Sequence, residues 1–447
     1  MEKRLYKSLA AIAAPLVLQN LISYGIGLAD NFMVGTLGDV SLSGVFVSNQ
    51  VQWILHMLSI GIGAALVVLA AQYVGKKDID NAKVVISIAI KTALGVGLFF
   101  TLLVTLFPRR ILSLFTGDEA VVAEGMRYIG IVCFSYIFFC ANGVLLASMR
   151  CVQNTKIGFL SSLTGFCVNV FLNWILIFGR LGMPVMGVAG AAVATLIARF
   201  CELCVTVFYV RFGDKSLGFR LKDIALYHAD MLKDFFKYGI PVILGDIFWG
   251  IAGSVQVAIL GRIGTDVLAA NTIAANLHQI FSVLVYGIAG ATGVIIGQTV
   301  GSGDYGKVKV YSKTLQVIFL SFGMLTALVI FFSRAFILSR GFPNISAAAH
   351  AYALQFLLVF SITIVGTSYQ MSVLTGIVRA GGATSFVLIN DLIHVWLIVI
   401  PSALLSAFVF HFPPVVTFAC LKCDQILKCI VAVIKLNRYD WMKKLTR

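Results

Sequence analysis

The sequence predicts an all-α polytopic membrane protein of twelve transmembrane helices in two six-helix halves. Three observations predict it. The 447 residues are 60% hydrophobic and only 12% charged, with a mean hydropathy of +0.97. A soluble chain carries about twice that share of charge. Apolar runs of about 20 residues recur from end to end. They are continuous rather than alternating, so helices rather than barrel strands must satisfy the backbone in hydrocarbon. Finally, the second half of the chain repeats the first.

The opening stretch "MEKRLYKSLAAIAAPLVLQNLI" imitates a signal peptide, but no clear cleavage site follows and the apolar run continues to Val34. It therefore reads as the first span, 9–36. Spans 46–71, 84–107, 126–148, 157–178 and 187–210 complete the first half. The second half holds 234–260, 268–297, 311–332, 350–375, 384–408 and 411–434, the last interrupted by Lys422, Asp424 and Lys428. The expected organisation is an N-terminal lobe over 1–215, a polar cytoplasmic linker over 216–232 and a C-terminal lobe over 233–447.

Basic residues sort by connection. The even-numbered ones hold Lys76, Lys77, Lys83, Arg150, Lys156, Arg211, Lys215, Arg220, Lys222, Lys307, Lys309, Lys313 and Arg379. The termini add Lys3, Arg4, Lys7 and the run from Lys435 to Arg447. The odd-numbered connections hold Arg109, Arg110, Arg180, Arg262, Arg334 and Arg340. The positive-inside rule then places both termini in the cytoplasm. It also assigns the net charge of +15 to anionic lipid headgroups rather than to nucleic acid.

Placing Pro15 on Pro241, an offset of 226 residues, lays "PLVLQNLISYGIGLADNFMVGTLGDVSLSGV" on "PVILGDIFWGIAGSVQVAILGRIGTDVLAAN" without a gap. Gly35 meets Gly261, Gly38 meets Gly264, Gln72 meets Gln298, Gly75 meets Gly301 and Asp78 meets Asp304. Six helices per half is an even number, so both halves enter from the same side and the repeat is parallel, as in proteins that work by alternating access. Nine cysteines are scattered through the chain. "CLKCDQILKC" has a metal-like spacing but no nearby histidine or fourth cysteine, so it reads as thiols rather than a metal site. With no phosphate-binding loop, ATP is not the expected energy source.

The informative residues are the polar ones that hydrocarbon does not explain. Asp30 sits in "GIGLADNFMVGTLGD", where an insertion cost of about 2.5–3.5 kcal/mol per charge demands a reason. It is either a carrier of a proton or sodium ion, or a carboxylate that ties helices together. Its repeat counterpart, Gln256, cannot ionise. Asn169 and Asn173 lie four apart on one helical face and join Asp30 as a cation-coupling cluster, to which Thr195 adds a hydroxyl. In the second half Asp246, Asn276, His278 and Asp391, together with Gln256, are the candidate substrate contacts. Asp246 and Asp391 serve equally well as interhelical partners. Tyr24 and Trp53 are candidate aromatic contacts for a flat organic cation, with Phe248 beside them. Glu202 pairs with Arg199 three residues before it, a structural bridge. Pro15 and Pro241 interrupt the helix ladder at matching places and are candidate hinges.

These stretches, together with "LSIGIGAALVVLAAQYVGKKDIDNA" and "GIAGATGVIIGQTVGSGDYGKV", resemble the multidrug and toxic compound extrusion (MATE) transporters of the multidrug, oligosaccharidyl-lipid and polysaccharide exporter superfamily. The resemblance covers roughly 5–435. It implies two lobes in a V around a cavity. It also implies export of cationic amphiphilic compounds by antiport with H⁺ or Na⁺, with no other cofactor, by a functional monomer in the bacterial inner membrane. Asp30 occupies the place of the family's first-helix aspartate. Asn169 matches a fifth-helix asparagine, but Asn173 stands where one branch has an acid. Another branch carries a seventh-helix acid at the position of Trp249; Asp246 lies one turn earlier. The alternatives are a lipid-linked oligosaccharide flippase and an intramembrane enzyme or receptor. The first calls for basic residues in the cavity, which the first helices lack. The second would have to use His278 and His394, which no metal motif accompanies.

Overall fold

A computed structural model describes residues 2–342 and 345–446, so Arg447 of the basic C-terminal run lies outside the described residues. Among the described residues every regular element is a helix. They are α1 (Glu2–Gly35), α2 (Asp39–Gly75), α3 (Ile79–Leu106), the short α4 (Pro108–Ser113), α5 (Glu119–Val132), α6 (Ser135–Cys151), α7 (Lys156–Phe178) and α8 (Val188–Phe208). Then follow α9 (Ala229–Ile263), α10 (Thr265–Gly301), α11 (Tyr305–Gly341), α12 (Ala347–Met371), α13 (Thr384–Leu392), α14 (Ile400–Leu404), α15 (Pro414–Lys422) and α16 (Asp424–Arg438). The burial pattern is that of a lipid-facing bundle. Phe32, Phe332 and Leu397 are 79%, 77% and 71% exposed, while Asn169, Asn173, Glu202 and Lys428 are buried. Helix α16 shows it in one element: Asp424, Lys428, Ala432 and Leu436 form its buried stripe, and Ile430 and Ile434 face outward.

Ten described helices are long and apolar enough to cross a membrane, and a bent pair brings the number to eleven. That pair corrects the straight fourth span expected over 126–148: α5 and α6 meet at 53°. Thr101 Oγ1 donates to the Cys133 carbonyl at the bend, 2.9 Å away, and Gly97 lets α3 approach the backbone of Ile137. The expected twelfth span over 411–434 is also not one helix, because α15 and α16 break at Cys423. The break brings Asp424 and Lys428 into an ion cluster, described below, that a straight apolar helix would not contain. The eleventh span relaxes into π-helical turns at Ile393–Val399 and Leu405–Val409, either side of Pro401 in α14.

By internal contacts the chain divides into two compact units. The first comprises residues 14–70 and 78–239; the second comprises 1–13, 71–77 and 240–447. Within the first unit, the segment read as a polar linker is fastened to α3. Ser87 Oγ donates to the carbonyls of Ile224 and Leu226 at 2.7 and 2.9 Å, and Lys91 Nζ reaches the Leu226 carbonyl at 2.9 Å.

The repeat is visible within the second unit at the level of single atoms. Gly75 lies against the backbone of Gln298, and its counterpart Gly301 lies against the backbone of Gln72, so the ends of α2 and α10 cross with no room for a side chain. The turns that follow also match. Lys77 and Gly303 both take left-handed backbone, at φ 65° and 78°, and Asp78 and Asp304 then cap α3 and α11 by accepting from Asn81 N and Lys307 N. Gln72 ties the same crossing to the chain's end. It donates to the carbonyls of Ala380 and Lys443 at 3.2 and 3.3 Å and accepts from Leu445 N at 2.9 Å. Gly301→Val is therefore expected to destabilise the protein by at least the 1–3 kcal/mol typical of overpacking. Thermal denaturation of the purified protein checks this, and an unchanged midpoint would contradict the crossing.

Candidate cation site

Three helices of the first unit build the site. Helix α1 carries Asp30, α7 carries Asn169 and Asn173 one turn apart, and α8 carries Thr195. The Asn173 amide spends its two hydrogens on Asp30 Oδ1 at 2.5 Å and Asn169 Oδ1 at 3.1 Å. Asn169 Nδ2 in turn donates to Thr195 Oγ1 at 3.3 Å. The four residues named from sequence thus form one hydrogen-bonded chain. Among the described residues the carbonyl oxygen of Asn173 is buried without a hydrogen-bond partner. A proton or a sodium ion is bound by oxygen, and this cluster offers a carboxylate, two amide oxygens and a hydroxyl.

Sequence reasoning missed the rest of this wall. Tyr128 of α5 is buried beside Thr195 and Asp30. His56 of α2 is wedged edge-on between Trp53 and Phe139, with ring centroids 5.8 and 5.6 Å away. The Arg199 guanidinium lies 5.2 Å over the Phe139 ring, and its Nη1 reaches both Glu202 oxygens at 3.1 and 2.9 Å. Only the Arg199–Glu202 pair was legible, because it lies three residues apart on one helix. Trp53 itself is 48% exposed, and Tyr24 is half-buried.

The substrate contacts named in the second half all fall in the second unit, and the structure does not gather them into one cluster. Gln256 is half-buried and Asn276 exposed. His278 bonds Ser282 at 3.2 Å and packs on Phe360 at 5.0 Å. The two acids have cationic partners the sequence did not suggest. Arg379, read as a loop residue, faces Asp246 at 3.2 and 3.3 Å. Lys428, read as an interruption, lies between Asp391 at 2.8 Å and Asp424 at 3.2 Å. Gln425 and Gln370 extend that cluster through bonds of 2.9 Å each. Asp391 also borders a cleft walled by Phe248, Trp249 and Trp396, in which the Phe248 and Trp396 rings meet edge to face at 6.2 Å. Pro15 and Pro241 lie inside continuous helices, α1 and α9. Among the described residues no three His, Cys, Asp or Glu side chains stand together as metal ligands, and Cys420, Cys423 and Cys429 are free thiols.

A single carboxylate held by amides and a hydroxyl within a duplicated bundle of membrane helices is an arrangement that transport proteins use. The MatE family model matches the chain twice, over 15–175 and 241–405, each match beginning at the repeated proline, and the chain belongs to that family. Among its relatives is a probable multidrug resistance protein NorM of Bacillus thuringiensis subsp. konkukian, 25% identical over 398 residues, covering 88% of this chain and 87% of that protein. The fold is shared with a crystal structure of the Vibrio cholerae MATE transporter VcmN, with a TM-score of 0.89 at 17% identity over 99% of this chain and 98% of that one. A MATE crystal structure in a bent conformation gives 0.88 at 18% identity over 97% and 95%.

Proposed function

We propose that this protein exports cationic amphiphilic compounds in exchange for H⁺ or Na⁺, with the coupling cation exchanged at Asp30. The observation that carries the reading is the Asp30–Asn173–Asn169–Thr195 chain, which holds an acid in a membrane helix against amides and a hydroxyl rather than against a paired base. The names of relatives such as the NorM proteins point to multidrug substrates. Asp391 borders a cleft walled by Phe248, Trp249 and Trp396, and because Lys428 is shared between Asp391 and Asp424 the group keeps a net negative charge beside that aromatic lining, which favours a flat organic cation. Two of the four boundaries between the compact units, at Ala13/Ala14 and Gly239/Ile240, fall next to Pro15 and Pro241, which supports the role of these prolines as hinges. The distribution of basic residues supports placing both termini in the cytoplasm, and the bacterial relatives support a plasma-membrane location; we take the monomer as the working unit.

The flippase alternative needs unpaired basic residues for a pyrophosphate. Arg199, Arg379 and Lys428 lie within membrane helices or at their ends and each faces a carboxylate, which among the described residues leaves Arg150 in the last turn of α6 without one.

Bacteria stripped of their own efflux pumps and expressing the chain are expected to accumulate less ethidium than cells with empty vector. Asp391→Asn should lose part of that difference, because a charge-assisted contact to the substrate cation contributes about 1.5 kcal/mol or more. Ethidium accumulation equal to that of the vector control would contradict the reading.

A further inference from the structure

The seam between α7 and α8 holds a second carboxylate. Gly165, Asn169 and Asn173 follow one another at one-turn spacing on α7, and Thr195, Arg199 and Glu202 face them from α8. The Glu202 carboxylate fills the space left by the missing side chain of Gly165, where any Cβ would overlap it. The two acids of the seam are therefore Asp30 at the Asn173 end and Glu202 at the Gly165 end. Eight α7 residues separate those ends, about 12 Å of helix rise.

The two carboxylates are not equivalent. Glu202 is 3% exposed and locked to Arg199 through both oxygens, and the guanidinium is further held on the Phe139 ring. Asp30 accepts from the neutral amide of Asn173. Arginine does not lose its proton in proteins, so Glu202 is permanently neutralised while Asp30 is not. The charged side chains of the seam are Asp30, Glu202 and Arg199, two negative and one positive, a surplus of one negative charge. The charge count also accounts for Asn173: an acid there would raise the surplus to two.

We propose that Arg199 is a fixed internal cation, held on Glu202, and that the first unit in consequence exchanges one monovalent cation per transport cycle, at Asp30. This rests on the antiport reading above and adds its stoichiometry. Arg199 acts through Glu202 and the charge balance rather than by touching substrate, so it is a positioning residue.

The test is a null-point measurement in proteoliposomes with the membrane potential clamped at zero and a tenfold gradient of whichever cation drives efflux. The ethidium concentration ratio at which net flux stops reports the stoichiometry: about tenfold for one cation, about a hundredfold for two. The wild type is expected to stop at about tenfold. Arg199→Gln frees Glu202 and is expected to move the limit towards a hundredfold, and Arg199→Gln with Glu202→Gln to return it to tenfold. If the single variant does not fold, Asn173→Asp decides, with an expected limit near a hundredfold. A wild-type limit of a hundredfold overturns the inference, as does a folded Arg199→Gln or, in its place, Asn173→Asp that stays at tenfold. If neither cation gradient sustains any ethidium ratio in the wild type, the antiport reading falls and the inference falls with it.

Discussion

Asp30→Asn is expected to abolish ethidium extrusion while leaving a folded, membrane-inserted protein. Asparagine has the same shape, and its carbonyl oxygen can accept the bond that Asn173 Nδ2 makes to Asp30 at 2.5 Å. What is lost is the charge and the capacity to take up a proton or ligate sodium. Hydrogen bonds to a charged group contribute about 1.5–3 kcal/mol, so losing even one such interaction weakens cation binding by roughly 10- to 100-fold. Stability should hold or rise, because a carboxylate in mid-membrane costs about 2.5–3.5 kcal/mol to insert and an amide does not carry that penalty. Transport assays and thermal denaturation of the same preparation separate the two effects. Full transport by the variant would remove Asp30 from the coupling role.

Lys428→Met is expected to have the largest effect on folding. The Lys428 ammonium is 4% exposed and lies between Asp391 and Asp424, 2.8 and 3.2 Å away. Its removal takes away the ammonium that the two carboxylates share, and breaking a buried pair in this way costs about 3–5 kcal/mol. The loss should appear as a collapse of the monodisperse peak in fluorescence-detected size-exclusion chromatography. Adding Asp391→Asn and Asp424→Asn to Lys428→Met removes the stranded charges and should restore much of the peak. A single variant as stable as the wild type would mean that the cluster does not hold α13 to α16.

Much of this was legible in the chain because hydrocarbon is an unforgiving solvent. Apolar runs mark the helices, and the few polar residues inside them stand out, so Asp30, Asn169, Asn173 and Thr195 were visible as a set before their bonds were. The repeat was legible for a different reason. Gly75 and Gly301 occupy a backbone crossing that admits no other residue, and Asp78 and Asp304 cap the same turn. What escaped was partnership across long sequence separations. Hydropathy places Arg379 in a connection, where basic residues are ordinary, and reads Lys428 only as an interruption of the last span. Nothing in the chain says that they turn inward to Asp246 and Asp391. The bend at Cys133 escaped because its cause is a hydroxyl from another helix, Thr101. His56 and Phe139, which join Trp53 in an aromatic wall, escaped because aromatics are too frequent in this chain, with 34 phenylalanines, for any one to signal a site.

The central claim is that a cation exchanged at Asp30 drives export. The most direct test is ethidium efflux in proteoliposomes with sodium and pH gradients imposed independently. Efflux in the wild type is expected to accelerate under at least one gradient, and in Asp30→Asn under neither. Efflux that responds to neither gradient in the wild type, or that responds equally in both proteins, would contradict it.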